Sequence, residues 1–364
     1  ASLEEGEVKS LCADCIAAAN AGKADEAYTI AAENKQAEFV SGATECDESK
    51  LFERSRELLE DIKERYPLIV IEQMIITHSK SETVYADASG TVYKRISGAY
   101  SAELMYSAHE GDKTSSFFGS GVVCDNLDTP FIQLGRIANE LEEVQKQIET
   151  EPVNGKFTGT IILPPAALGG IIDSAVGNFA SGGALLEGTS PWAEMLGKQV
   201  ADSKLTVHIA PGDKRIISGT VISGEGFINE DFTFIKNGVL EGFVMSHYFA
   251  KKLGKAASPN TTDNYIVENG DTALEDMIKG VKKGLWIGRL SGGHPASNGD
   301  FSAVAKNSFL IENGEIKQAV SETMVNGNLK DMLMSISAIS KETVADGQTV
   351  LPFVAVENLV ISGK

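Results

Sequence analysis

Five histidines, four cysteines and 51 acidic side chains are the groups in this 364-residue chain that could hold a metal or move a proton. Zinc hydrolysis asks for two or three imidazole, thiolate or carboxylate ligands plus a general base, usually compressed into one or two helical turns. His78, His109, His208, His247 and His294 are spaced too widely for that. None lies within five residues of another, so neither H-E-x-x-H nor H-E-x-x-x-H occurs. His109-Glu110 begins such a motif, but Lys113 and Thr114 stand where its second histidine would fall. Cys12 and Cys15 form a C-x-x-C with no second pair to complete a zinc site. They share one helical stripe with Val8, Leu11 and Ile16, which predicts buried, inert thiols rather than a redox couple. No G-x-S-x-G elbow is present, and Gly119-Ser120-Gly121 sits in a strand-like run, so a serine triad finds no support. Phosphate-cradling glycine motifs are absent too. The glycine pairs at 169–170, 182–183 and 292–293 read as turns or close backbone approaches.

The elements that would position these groups change character along the chain. Residues 3–20 and 50–65 have helical periodicity, the second led in by Asp47-Glu48-Ser49, carrying Leu51, Leu58, Leu59 and Ile62 on one side and stopped by Pro67. From 68 to 123, β-branched and aromatic runs alternate with turn chemistry at Gly90 and Glu110-Gly111-Asp112, predicting an antiparallel meander. A long helix is expected over 130–150, with Ile132, Leu134, Ile137, Leu141, Val144 and Ile148 facing the core. Glu151-Pro152-Val153-Asn154-Gly155 then breaks the pattern. The division expected is an N-terminal α+β domain, 1–153, of helices plus antiparallel sheet, and a C-terminal β-rich, barrel-like domain with short helices, 154–364. In the second half, Asn237-Gly238 and Asn313-Gly314 each stand between apolar runs, the pairing that favours a type I′ hairpin turn.

Composition narrows the function classes. With 32 basic and 51 acidic residues the formal net charge is −19, and such a surface repels phosphate backbones. The densest basic stretches, Lys251-Lys252 with Lys255 and Lys279 with Lys282-Lys283, read as solvated faces, so no nucleic-acid partner is expected. The longest apolar runs are interrupted, at Glu72-Gln73 and at Pro164-Pro165, short of the ~18 residues of a membrane span. The opening residues have neither a basic nor an apolar export region, which makes the cytoplasm the expected location.

An ordered series in the second half runs through Gly188-Thr189-Ser190, Leu196-Gly197-Lys198-Gln199-Val200, Ile235-Lys236-Asn237-Gly238, Gly299-Asp300-Phe301-Ser302, Phe309 to Ile316, Gly327-Asn328-Leu329-Lys330-Asp331, Leu351-Pro352 and Ile361-Ser362-Gly363. The series resembles the TldD/PmbA family, whose members include peptidases and proteins labelled modulators of DNA gyrase. A further strand-rich segment with which members usually begin is not found, which reads as a trimmed or divergent start. The active branch carries H-E-x-x-x-H on a helix and a third zinc ligand from a cysteine near its C-terminus. The matching segment here, 168–179, puts Asp173 and Asn178 in place of the histidines and Ser174 in place of the glutamate, and no cysteine follows Cys124. A lone carboxylate, an amide and a hydroxyl neither hold Zn²⁺ tightly nor deprotonate its water. The resemblance therefore implies the PmbA/TldE-like branch: no metal or cofactor in this chain, zinc in a TldD-like catalytic partner, and a role in holding unfolded or leader-bearing peptide. Extended peptides commonly bind by adding a strand to an open edge, and Gly292-Gly293-His294 is the place expected for it. The alternatives are a homodimeric peptide binder without protease activity, and a divergent metallopeptidase built around Asp173.

Overall fold

In the computed structural model, which describes residues 5–364, Asp47 starts a helix by accepting a hydrogen bond from the Lys50 backbone N–H at 3.0 Å. The helix, Glu48–Arg65, buries Leu58 and Ile62 but leaves Leu59 exposed. It packs over a long antiparallel pair, Ile69–Ala86 and Val92–Glu110, in which the separate β runs of the sequence merge into two strands turning near Gly90. Phe118–Cys124 extends this sheet, and Gln36–Gly42 joins it in parallel, a strand with no sequence signal.

Two expectations fail here. The helix expected over 130–150 is cut by Gly135, which adopts φ +56°. What forms is a 3-10 turn, Phe131–Gln133, and a nine-residue helix, Ile137–Gln145, while Thr150–Pro152 is a strand. The apolar side chains still reach the core, with Ile132, Ile137, Leu141 and Val144 buried. The first helix forms as expected, Glu5–Ala21, its expected start at Leu3 lying outside the described residues, but the burial expected of its cysteine stripe fails. Cys12 and Cys15 are exposed, as are Leu11 and Ile16, at 48% and 63% of their surface. An apolar stripe marks a face; it does not supply the surface that would cover it.

The second sheet, of 14 strands from residues 150–362, is open and branched rather than a closed barrel, and the fold class is α+β. Its hub is Val350–Ser362, paired antiparallel with Lys156–Leu163, Ile336–Ala345 and Met324–Asn328 and parallel with Tyr265–Val267. Both Asn-Gly pairs form tight hairpin turns with every central residue at positive φ: Asn237 at 47° and Gly238 at 78°, Asn313 at 51° and Gly314 at 80°. Lys236 then faces Val239, and Glu312 faces Glu315. No helix among the described residues is long and apolar enough to cross a membrane.

Candidate functional site

Pro164 ends the strand Lys156–Leu163, and Pro165, lacking the N–H that a first helical residue would leave unbonded, opens the helix Pro165–Ala175. Leu168, Ile171, Ile172 and Ala175 anchor its inner face in the main core. The helix runs into a π turn, Val176–Ala180. Side chains five positions apart diverge by about 140° on a regular α-helix, and the wider π turn reduces that divergence between Asp173 and Asn178.

Each of the three motif positions is already engaged. Asp173 Oδ1 accepts a hydrogen bond from the Tyr265 hydroxyl at 3.2 Å. Burial, and then the Asp173 carboxylate, push the Tyr265 phenol well above its ordinary pKa and keep it a donor. Ser174 Oγ donates to the Gly170 carbonyl at 2.8 Å, and Asn178 Nδ2 to the Pro295 carbonyl at 3.1 Å. No group of three or more His, Cys, Asp or Glu is placed to hold a metal ion, here or elsewhere among the described residues. These donors do not fit a catalytic zinc, which needs three strong ligands and an open position.

Beside the helix lies a cleft of about 260 Å³. Ala166, Gly170 and Ser174 form one wall, Leu290, Gly293 and His294 the other, and Phe118 and Gly119 close it from the first sheet. Ser174 and the Gly292-Gly293-His294 segment, distant in sequence, thus meet in one place, whereas Asp173 and Asn178 belong to the same helical segment without lining the cleft. Gly170, read from sequence as part of a turn, sits inside the helix; a Cβ there would meet nothing within 4 Å, so its absence leaves the cleft open. Gly293, at φ +55°, has no such latitude, because a Cβ would lie 1.7 Å from the Ser302 carbonyl oxygen.

The far wall is an open edge. Among the described residues, Arg289–Ser291 pairs only with Asp300–Lys306, leaving its other side without a strand. Arg289 escaped the sequence analysis because an isolated arginine after a buried glycine carries no motif. Its guanidinium lies 4.5 Å from the centre of the Phe117 ring. A second, more polar cleft of about 470 Å³ holds His208, Asp213, Arg215, Asp231 and Glu268. Several of those charges satisfy each other: His208 bridges Thr233 and Glu268 at 3.0 and 3.1 Å, and the Arg215 hydrogen bonds hold the Asp213 carboxyl down at about 2.

Residues 155–363 match the PmbA/TldA metallopeptidase C-terminal domain. A zinc metalloprotease TldD homolog of Saccharolobus solfataricus is 24% identical over 316 residues, covering 78% of this chain and 68% of that protein. Metalloprotease PmbA of Escherichia coli O157:H7 is 31% identical over 191 residues, 50% of this chain and 42% of its own length. In three dimensions, TldE from Thermococcus kodakarensis superposes with a TM-score of 0.81 at 22% identity, covering 100% of this chain and 86% of that one. A candidate modulator of DNA gyrase from Bacteroides thetaiotaomicron does so with 0.86 at 21%, covering 100% and 84%.

Proposed function

The chain belongs to the TldD/PmbA metallopeptidase family, and from that premise we propose that it acts as a non-catalytic, PmbA/TldE-like subunit. It shapes a peptide channel and holds unfolded or leader peptide in the cytoplasm, while a separate TldD-like subunit supplies the zinc and cuts. The observation that carries this reading is the cleft. One wall is the motif helix with its polar groups spent on Tyr265, Gly170 and Pro295; the other is the free edge Arg289–Ser291. An extended peptide laid along that edge gains main-chain hydrogen bonds that tolerate varied side chains. Gly292 and Gly293 let its backbone approach, and His294 offers an exposed imidazole at the mouth. The helix then serves as a wall against which the peptide is pressed.

Elemental analysis of the purified chain, alone and mixed with a TldD-type partner, alongside cleavage of an unfolded peptide, tests the division of labour. The expected result is a metal-free, inactive chain that raises cleavage only in the mixture. Stoichiometric zinc with cleavage by the chain alone overturns the reading. Stable self-association with peptide binding but no gain from any partner points instead to the homodimeric binder.

A further inference from the structure

The chain has seven arginines, and five of them have a carboxylate partner: Arg54 with Glu57, Arg56 with Glu60, Arg65 with Asp61, Arg136 with Glu143 and Arg215 with Asp213. Arg95 is spent on the Gly219 carbonyl at the tip of the long hairpin. Arg289, with no carboxylate partner among the described residues, opens on the cleft beside the helix Pro165–Ala175. It is half-buried, and its hydrogen bonds go to neutral atoms: Nε donates to Asn307 Oδ1 and Nη2 to Ser116 Oγ, both at 3.3 Å. A guanidinium has five N–H donors in a planar fork, so those two bonds leave the face that matches a carboxylate unspent. Partial burial lowers its pKa, with no acidic neighbour to offset the loss of solvent. The surroundings are as telling as the side chain. In a chain with 51 acidic residues and a net charge of −19, no aspartate or glutamate among the described residues lines this cleft. Its other titratable group is His294, and the first turn of Pro165–Ala175, with its positive dipole end, contributes Ala166 and Ala167 to the same wall.

We propose that Arg289 anchors a carboxylate of the bound peptide, so that the cleft selects peptides presenting one, from a chain end or from an Asp or Glu side chain, at this point along the open strand edge. The inference rests on the peptide-holding reading above and adds the chemistry it selects. Phe117 stacks on the guanidinium and holds its plane, and Asn307 and Ser116 fix the fork, so little side-chain entropy remains to be lost when the anion arrives.

Fluorescence anisotropy with the full chain tests it, using three dansyl hexapeptides of one alanine–leucine sequence. One has a free C-terminal carboxylate, one a C-terminal amide, and one an amide with an internal glutamate. A charge-assisted bond of this kind predicts that at least one carboxylate peptide binds about tenfold tighter than the neutral amide. Which of the two it is identifies the source of the carboxylate. Arg289→Gln should bring that preference within about twofold, and Arg289→Lys should keep part of it. Melting temperatures within a few degrees of wild type for both variants show that the fold around the cleft is intact. Equal affinity of wild type for all three peptides, or a preference that survives Arg289→Gln, overturns the anchor and leaves the peptide-holding reading standing. Failure of every peptide to bind wild type overturns both.

Discussion

Gly293 and Gly170 face each other across the same cleft and answer to opposite constraints. Replacing Gly293 by alanine forces a side chain into left-handed backbone and onto the Ser302 carbonyl, and should cost about 3 kcal/mol in urea unfolding. Gly170→Ala meets open space within a helix, and should stabilise by about 0.5–1 kcal/mol. Gly170→Phe carries the same argument into function: it should fill the cleft, leave the melting temperature within a few degrees of wild type, and abolish the binding of extended peptides. A stable Gly170→Phe variant that still binds them would mean that the peptide lies elsewhere. At this scale the sequence reveals which residues are missing from a zinc site, since ligand identity and spacing are properties of the string. It does not reveal Arg289, whose importance comes from the carboxylates that are absent around it, and that is a property of space.

Among the elements, the helix Ile137–Gln145 bears the most unusual load. Arg136, just before it, is held between two carboxylates, with Nη2 2.6 Å from Glu143 Oε1 and Nη1 3.9 Å from Glu140 Oε1. It also lies 5.5 and 5.1 Å from the ring centres of Trp286 and Phe353. Glu140 is the buried member of the pair and accepts a hydrogen bond from Ser120 Oγ at 2.5 Å, while Ser120 Oγ is 2.7 Å from the Tyr106 hydroxyl. Burial pushes the Glu140 carboxyl up, against the pull of Ser120 and Arg136, with Glu143 and Asp346 adding to the rise. A carboxyl whose pKa is raised by folding binds its proton more tightly in the folded state. Stability therefore falls as pH climbs from the unfolded value of about 4.3 through the folded one. Glu140→Gln, which imitates the protonated form, should flatten that fall at a cost within about 1 kcal/mol. Glu143→Gln removes the shorter ion-pair contact and should cost about 2 kcal/mol at neutral pH. Urea titrations between pH 4 and 8 compare the three proteins. A steeper pH dependence in Glu140→Gln than in wild type would contradict the assignment. The apolar face of this region was legible as periodicity, but its break was not, because Gly135 within a helical pattern looks tolerable until its φ is known. The Asn-Gly hairpins were readable because the turn requirement is local to two residues. The parallel strand Gln36–Gly42 was not, because it forms only against residues 56 positions away.

Across the molecule, the two larger of four hydrophobic clusters are built from residues 58–144 and 153–361, and several joints link the two halves of the chain. Arg136 beneath Trp286 and Phe353 is one; the Asn307 amide donating to the Ser116 carbonyl at 3.0 Å is another. At the far end of the long hairpin, Arg95 and Tyr85 donate to the carbonyls of Gly219 and Glu225 at 2.7 and 3.2 Å. Arg136→Ala removes both an ion pair and two ring contacts at one joint, worth together about 3 kcal/mol. Calorimetry should show one transition for wild type and two for the variant, the first core melting earlier. One undivided transition at an unchanged temperature would show that the joints are redundant.

The placement of Val350–Ser362 at the hub of the larger sheet sets an order of events as the chain is made. Four partner strands leave the ribosome before the segment that they all pair with, and the first of them, Lys156–Leu163, waits about 200 residues of synthesis with one backbone edge unpaired. At about 5–20 residues per second that interval lasts on the order of 10–40 s. The first core can close during this time, whereas the second must wait for its last strand. During that wait the nascent chain is open to chaperones and to pairing with its neighbours on the same message.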